Sequence, residues 1–192
     1  MGVTTDYLGH IEIVPPLNDS EMAYLHAFAR SRRCWRPGGP YEVEPADPPT
    51  RNTDIDTERH NSIAEGQPSL WCQWTPCPQG CCLGWDGHEK FYAGTLWMQY
   101  LIDHFLRPGA LAQSSGRREF ADFTFDHRTD GIIVGHQQDN RELFAIRVID
   151  GEVSREVLRR GDPMPWDEPG WWTDLLEEPA PSRSTRRRLG RK

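Results

Sequence analysis

The densest chemistry in the sequence lies between Leu70 and Tyr92, where Trp71, Trp74 and Trp85 alternate with Cys72, Cys77, Cys81 and Cys82. Just beyond stand Asp86, His88, Glu89 and Lys90, which could supply acid, base and electrophilic groups within five residues. A polar turn leading into a helix is the simpler account of them, with Glu89 and Lys90 solvated and Phe91 and Tyr92 packed. A structural zinc ion would need four soft or imidazole ligands converging as a tetrahedron. Candidates are Cys72, Cys77, Cys81 or Cys82, with His88 as an imidazole. Only the Cys77–Cys81 spacing falls near the usual range, so Cys77, Cys81 and His88 are the best metal candidates. Small thiols buried as core are the preferred reading, and a nucleophilic cysteine lacks any family-specific signature.

A second constellation, Asp126-His127, Asp130, His136 and Asp139, has ligand types suited to a divalent metal and phosphodiester hydrolysis. Asp130-Gly131 and Asp139-Asn140 are also ordinary turn chemistry. The sequence has no phosphate-cradling Gly loop and no Gly-x-Ser-x-Gly elbow.

These residues need elements to hold them. Tyr7 to Val14 reads as a strand. Asn18 and Glu21 form a capping box for a helix whose apolar stripe is Met22, Leu25, Phe28 and Ala29, stapled through Leu17. Pro37 to Pro68 reads as a long irregular loop. Leu70–Trp74 and Cys81–Trp85 predict a hairpin with a six-residue turn. Its expected register sets Trp74 opposite Cys81, Cys72 opposite Leu83 and Leu70 opposite Trp85, leaving Trp71 and Gln73 on the other face. Thr95 is the expected cap of a second helix, with Trp97, Met98, Leu101, Ile102 and Phe105 buried and Pro108-Gly109 as the stop. Strands follow at Phe120–Phe125, Ile132–Gly135, Leu143–Ile149 and Glu152–Leu158, the last two joined by Asp150-Gly151. The order predicts an α+β fold: an antiparallel sheet with two helices on one face, a ferredoxin-like split β-α-β arrangement with additional strands.

The expected organisation is one α+β domain at 1–160, an acidic Trp- and Pro-rich extension at 161–181 and a disordered basic tail at 182–192. Charge supports this division. The tail carries six basic residues and no acidic one, and without them 16 basic groups face 29 acidic groups, so the body is strongly acidic. That excludes bulk attraction to a phosphate backbone and confines any nucleic-acid contact to the tail. No secretory signal or membrane-length apolar run is visible, and five cysteines without an export signal read as reduced thiols, so a cytoplasmic location and no membrane contact are expected.

Leu70-Trp71-Cys72-Gln73-Trp74, then Trp85-Asp86, Glu89-Lys90-Phe91-Tyr92 and the run from Trp97 to Ile102, resemble a group of short uncharacterised proteins encoded by bacteria and their phages. The opening Thr4-Thr5-Asp6-Tyr7-Leu8-Gly9 and the Arg32-Arg33 end of the first helix are similar too. After the second helix the pattern departs, with Gly109-Ala110-Leu111 and a polar insert replacing a Gly-Tyr-Val-Leu-Asn-Gly-like strand. The resemblance implies a single intact domain and no particular activity or cofactor. It points to Trp71, Gln73, Trp74, Asp86, Glu89 and Lys90 as binding residues. The expected function is a non-catalytic binding or interaction domain that uses this aromatic hairpin surface for a protein or small-molecule ligand. A small metal-dependent hydrolase or nuclease, and nucleic-acid contact through the tail, are the alternatives.

Overall fold

Asn18 sets the first helix because its side chain accepts hydrogen bonds from the N–H groups of Ser20 and Glu21, while Glu21 reaches back to the N–H of Asn18. In the computed structural model, which describes residues 4–45 and 60–163, that helix is α1, Asp19–Arg30. It follows strand β1, Thr5–Val14. The chain continues through β2 (Trp74–Pro76), β3 (Cys82–Trp85), α2 (Gly94–Leu101), β4 (Arg128–Gln137), β5 (Leu143–Ile149) and β6 (Glu152–Arg159). One turn of π-helix, Ile102–Leu106, prolongs α2, closed by the Arg107 N–H donating to the Ile102 carbonyl at 3.2 Å.

The six strands form one antiparallel sheet in the order β2-β3-β1-β4-β5-β6. β3 therefore separates β1 from the parallel β2, and β1 separates β3 from the parallel β4. These are two interleaved split β-α-β units, with β5 and β6 added beside β4. Burial alternates with the pleat. Ile11, Ile13, Leu83, Ile133, Ile146 and Val148 face the helices and are buried, whereas Leu8, Val14 and Ile132 on the opposite face are exposed. Phe28, Trp97, Met98, Leu101 and Phe105 complete the core from the helix side. Full burial of one such side chain is worth about 1.5–3 kcal/mol. Gly135 has no Cβ because the Phe144 ring lies where one would be, 2.3 Å away.

Three local expectations are corrected. The second helix starts at Gly94 rather than on a Thr95 cap, because packing fixes the start: a Cβ at Gly94 would meet the Tyr7 hydroxyl at 2.7 Å. Residues 120–125 are not a strand. Phe120 ends a 3-10 turn (Arg118–Phe120), and the Phe123 N–H donates to the Phe120 carbonyl, so Phe120, Phe123 and Phe125 are gathered against Tyr24 and one another by tight turns. The hairpin register is shifted by four residues, pairing Trp74 with Trp85 and Pro76 with Leu83. Thr75 and Pro76 belong to the strand, and the connection contracts to the five residues from Cys77 to Cys81, with a tight turn closed by the Gly80 N–H donating to the Cys77 carbonyl at 2.9 Å.

The described parts of the long loop cross the end of α1. Cys34 bridges Ile63, Tyr24 donates to the Tyr41 carbonyl, and the Arg33 N–H donates to the Leu70 carbonyl. The acidic extension from residue 164 and the basic tail lie outside the described residues. Among the described residues no helix is long and apolar enough to cross a membrane.

Candidate functional site

The segment from Leu70 to Gln73 is not a strand, yet it is firmly held. Gln73 is buried, and both ends of its amide are used. Its Nε2 donates to the Glu89 carbonyl at 3.1 Å, and its Oε1 accepts from the Trp85 indole at 3.3 Å. The same indole reaches the His88 carbonyl at 3.1 Å. Gln73 and Trp85 thus clamp the 86–90 turn against the open end of the hairpin. Asp86 organises the turn from within, accepting from the His88 N–H at 2.9 Å and lying 3.2 Å from His88 Nδ1. Gly87 and Lys90 both adopt positive φ, 86° and 65°, and for Lys90 this is a costly conformation for an L-residue.

Between this turn and the end of α1 lies a concavity of about 490 Å³. It is lined by Ala29 and Arg30 of α1, Trp71, Gln73 and Thr75, and Asp86, His88, Glu89 and Lys90. Five of the six sequence-proposed binding residues therefore converge on one space, with the metal candidate His88 among them. Trp74 is the exception. It is buried in the core, and its indole donates to the Gly94 carbonyl at 2.7 Å, positioning the start of α2. Trp71 is 40% exposed, with the Arg32 guanidinium 5.4 Å from its ring centroid. The lining carries both signs of charge, Arg30 and Lys90 with Asp86 and Glu89, beside the apolar Trp71 and Ala29.

The cysteines divide. Cys72 is buried, and burial pushes its thiol up to about 12. Cys77, Cys81 and Cys82 are not core. Their sulfurs gather at the hairpin turn, with Cys77 and Cys81 3.5 Å apart. Burial pushes the Cys77 thiol up, but hydrogen bonds from the Cys82 and Cys81 thiols and from the Gln79 and Cys81 amides outweigh it, bringing Cys77 to about 7. Cys82 is pushed up to about 12, by burial first and then by Cys77. The preference for buried thiols thus holds for Cys34 and Cys72 only, and His88 is not part of the sulfur cluster.

The aspartate and histidine constellation is not brought together. Asp130 and His136 lie six residues apart on the extended β4, about 20 Å at strand rise. Asp130 pairs with Arg128 at 3.0 Å. His127 is buried, with Nδ1 2.7 Å from the Pro15 carbonyl and Nε2 3.1 Å from Glu21 Oε1.

Sequence reasoning missed two features. Arg30 joins the concavity from a helix end far away in the chain, and only its place in the last turn of α1 marked it. A second concavity, about 510 Å³, is lined by Tyr7, Ser69, Tyr92, Gly94, Gln137, Phe144 and Arg155 among others. Its residues come from both halves of the sheet, so no local signal could have assembled them.

An α+β protein with a one-sided antiparallel sheet and a mixed-charge concavity at the open end of its edge hairpin is the class that fold and site define. The chain matches no protein-family model, and neither the curated proteins nor the solved structures contain a significant match to it.

Proposed function

We propose that this chain is a cytoplasmic binding domain whose recognition site is the concavity between the end of α1 and the 86–90 turn. The carrying observation is the convergence of Trp71, Asp86, His88, Glu89 and Lys90 on one space of a size usual for small-ligand sites. The lining suits a compact planar molecule, or a peptide side chain, that stacks on the Trp71 indole and carries polar groups of both charges. Gln73 acts by positioning, since its amide is spent on the Glu89 carbonyl and the Trp85 indole. The left-handed backbone at Lys90 favours a recognition role too, because strained residues that surrounding structure holds in place concentrate at ligand sites. Binding is favoured over catalysis because the His88 ring is 78% exposed and its Nδ1 pairs with Asp86 inside its own turn.

The test is a fragment screen by ligand-observed NMR, followed by chemical-shift mapping on the tryptophan indole N–H signals. Binders are expected to move the Trp71 signal and to lose at least tenfold in affinity on Trp71→Ala, while that variant still unfolds cooperatively. Binders that act equally on Trp71→Ala, or a library that leaves the Trp71 signal still, would overturn the assignment.

A further inference from the structure

The β2–β3 turn lies at the closed end of the hairpin, away from the concavity, and it holds three of the five cysteines. The Sγ atoms of Cys77, Cys81 and Cys82 all lie within 4.8 Å of one another, and none is in a disulfide. The backbone fixes this arrangement. Cys77 N–H donates to the Cys82 carbonyl at 2.9 Å, Ile13 N–H to the Cys81 carbonyl at 2.8 Å and Leu17 N–H to the Gly80 carbonyl at 3.0 Å. Gly80, at φ 69°, presses so close to β1's exit that a Cβ there would lie 2.8 Å from the Leu17 carbonyl oxygen. The turn is therefore pinned on both sides, and its three sulfurs are held together before any ligand arrives.

Three thiolates on one ion at about 2.3 Å would stand about 3.8–4.0 Å apart, at tetrahedral or trigonal angles. The sulfurs here lie within 4.8 Å of one another, with Cys77 and Cys81 3.5 Å apart, so side-chain adjustments of about 1 Å or less bring all three onto one ion. Every histidine and cysteine of the chain is among the described residues, and none besides these three joins the group. Among the described residues the turn thus gathers three ligands rather than the closed four of a structural zinc site. Soft thiolates in a set of three select thiophilic d10 cations. We propose that Cys77, Cys81 and Cys82 form a three-thiolate site for a single thiophilic cation, zinc(II) with its fourth position open or copper(I) in trigonal coordination. Binding forms three metal–sulfur bonds and releases the thiol protons to solvent, with no change in the oxidation state of the metal.

The experiment uses the full chain, reduced and kept anaerobic, titrated with zinc sulfate and separately with copper(I), each against a competing chromogenic chelator. One equivalent of metal is expected to bind and to protect three thiols from alkylation, since Cys34 and Cys72 are buried and unreactive in the native chain. Cys77→Ser and Cys81→Ser should each weaken binding by more than about 100-fold, beyond what changes outside the coordination sphere cost. Circular dichroism of the metal-free variants separates ligand loss from unfolding, and thiol counting on the unaltered chain gives an answer even if a variant fails to fold. X-ray absorption distinguishes the two ions: three sulfurs alone for copper, three sulfurs and one light donor for zinc. No saturable binding, affinity unchanged in the serine variants, a Cys77–Cys81 disulfide forming in place of the complex, or a four-sulfur shell from bridged molecules would each overturn the site.

Discussion

Replacing Glu21 by Gln should cost the fold about 1–3 kcal/mol, the range for leaving a buried donor without its acceptor. The size follows from the donors that meet on this carboxylate. Its Oε2 accepts the Asn18 N–H at 2.8 Å, and its Oε1 accepts the Thr124 N–H at 2.7 Å and the Thr124 hydroxyl at 3.0 Å. His127 Nε2 faces the same Oε1 at 3.1 Å, both side chains being all but inaccessible to solvent. His127 Nδ1 lies 2.7 Å from the Pro15 carbonyl, which holds the ring in this orientation against the carboxylate. Glutamine has one oxygen for these donors and an NH2 that itself donates. A backbone N–H is then stranded without an acceptor. At the 2–4 °C per kcal/mol usual for a domain of this length, the melting temperature should fall by roughly 2–12 °C. Urea unfolding at pH 7 measures the loss directly. The pH dependence supplies an independent check. Burial pushes the Glu21 carboxyl up, but hydrogen bonds from Asn18, Thr124 and His127 outweigh it and hold the group below its ordinary 4.5. The unfolded chain therefore binds this proton more readily, so the contribution is complete above pH 4.5 and is lost as pH falls through the lower folded value. The unaltered protein should lose more stability than Glu21→Gln over that acid range. A loss under about 1 kcal/mol at pH 7, or parallel acid profiles, would refute the hydrogen-bonded carboxylate.

Further outcomes are expected from the same physics. Gly135→Ala should destabilise the fold by about 1–3 kcal/mol in urea unfolding, because the new Cβ lands on the Phe144 ring, and adding Phe144→Leu should recover part of the loss. His104 stacks on Tyr100 at 3.7 Å, and burial lowers it to about 4. The unfolded chain takes up its proton first, so stability should decline as pH falls from about 6.5 to 4, and thermal melts of His104→Phe should show a shallower decline. Lys90→Gly relieves the left-handed backbone at the price of extra chain entropy, giving about 0–1 kcal/mol of net stabilisation by urea melt with weakened occupancy of the Trp71 concavity.

The parts of the fold legible in the sequence are those fixed by local chemistry. The Asn18–Glu21 capping box, the Asp150-Gly151 turn, with both residues at positive φ, and the alternation along Leu143–Ile149 each carry their own signal. The hairpin register was not legible, since pairing depends on which segments β1 and α1 hold in place. The error was an even number of residues, so Trp74, Leu83 and Trp85 still share a face. The run 120–125 misled because aromatic richness suits strands, whereas its spacing serves tight turns. Most of the concavity was legible because its residues lie within twenty positions of one another. Arg30 was hidden because only tertiary folding brings it there, and the grouping of Cys77, Cys81 and Cys82 because it depends on the shifted register that leaves Cys77 to Cys81 as the connection.

The two margins of the sheet differ in what they offer to a neighbouring chain. β2 is only three residues long and ends at Pro76, which has no N–H to contribute to a further ladder. β6 is eight residues long, with Arg155, Glu156 and Arg159 tied to Glu142, Arg147 and the Arg141 carbonyl. Lateral growth is blunted by brevity and proline on one side and by long charged side chains on the other, so a core this rich in aromatics can stay monodisperse at concentrations where a bare apolar edge would polymerise.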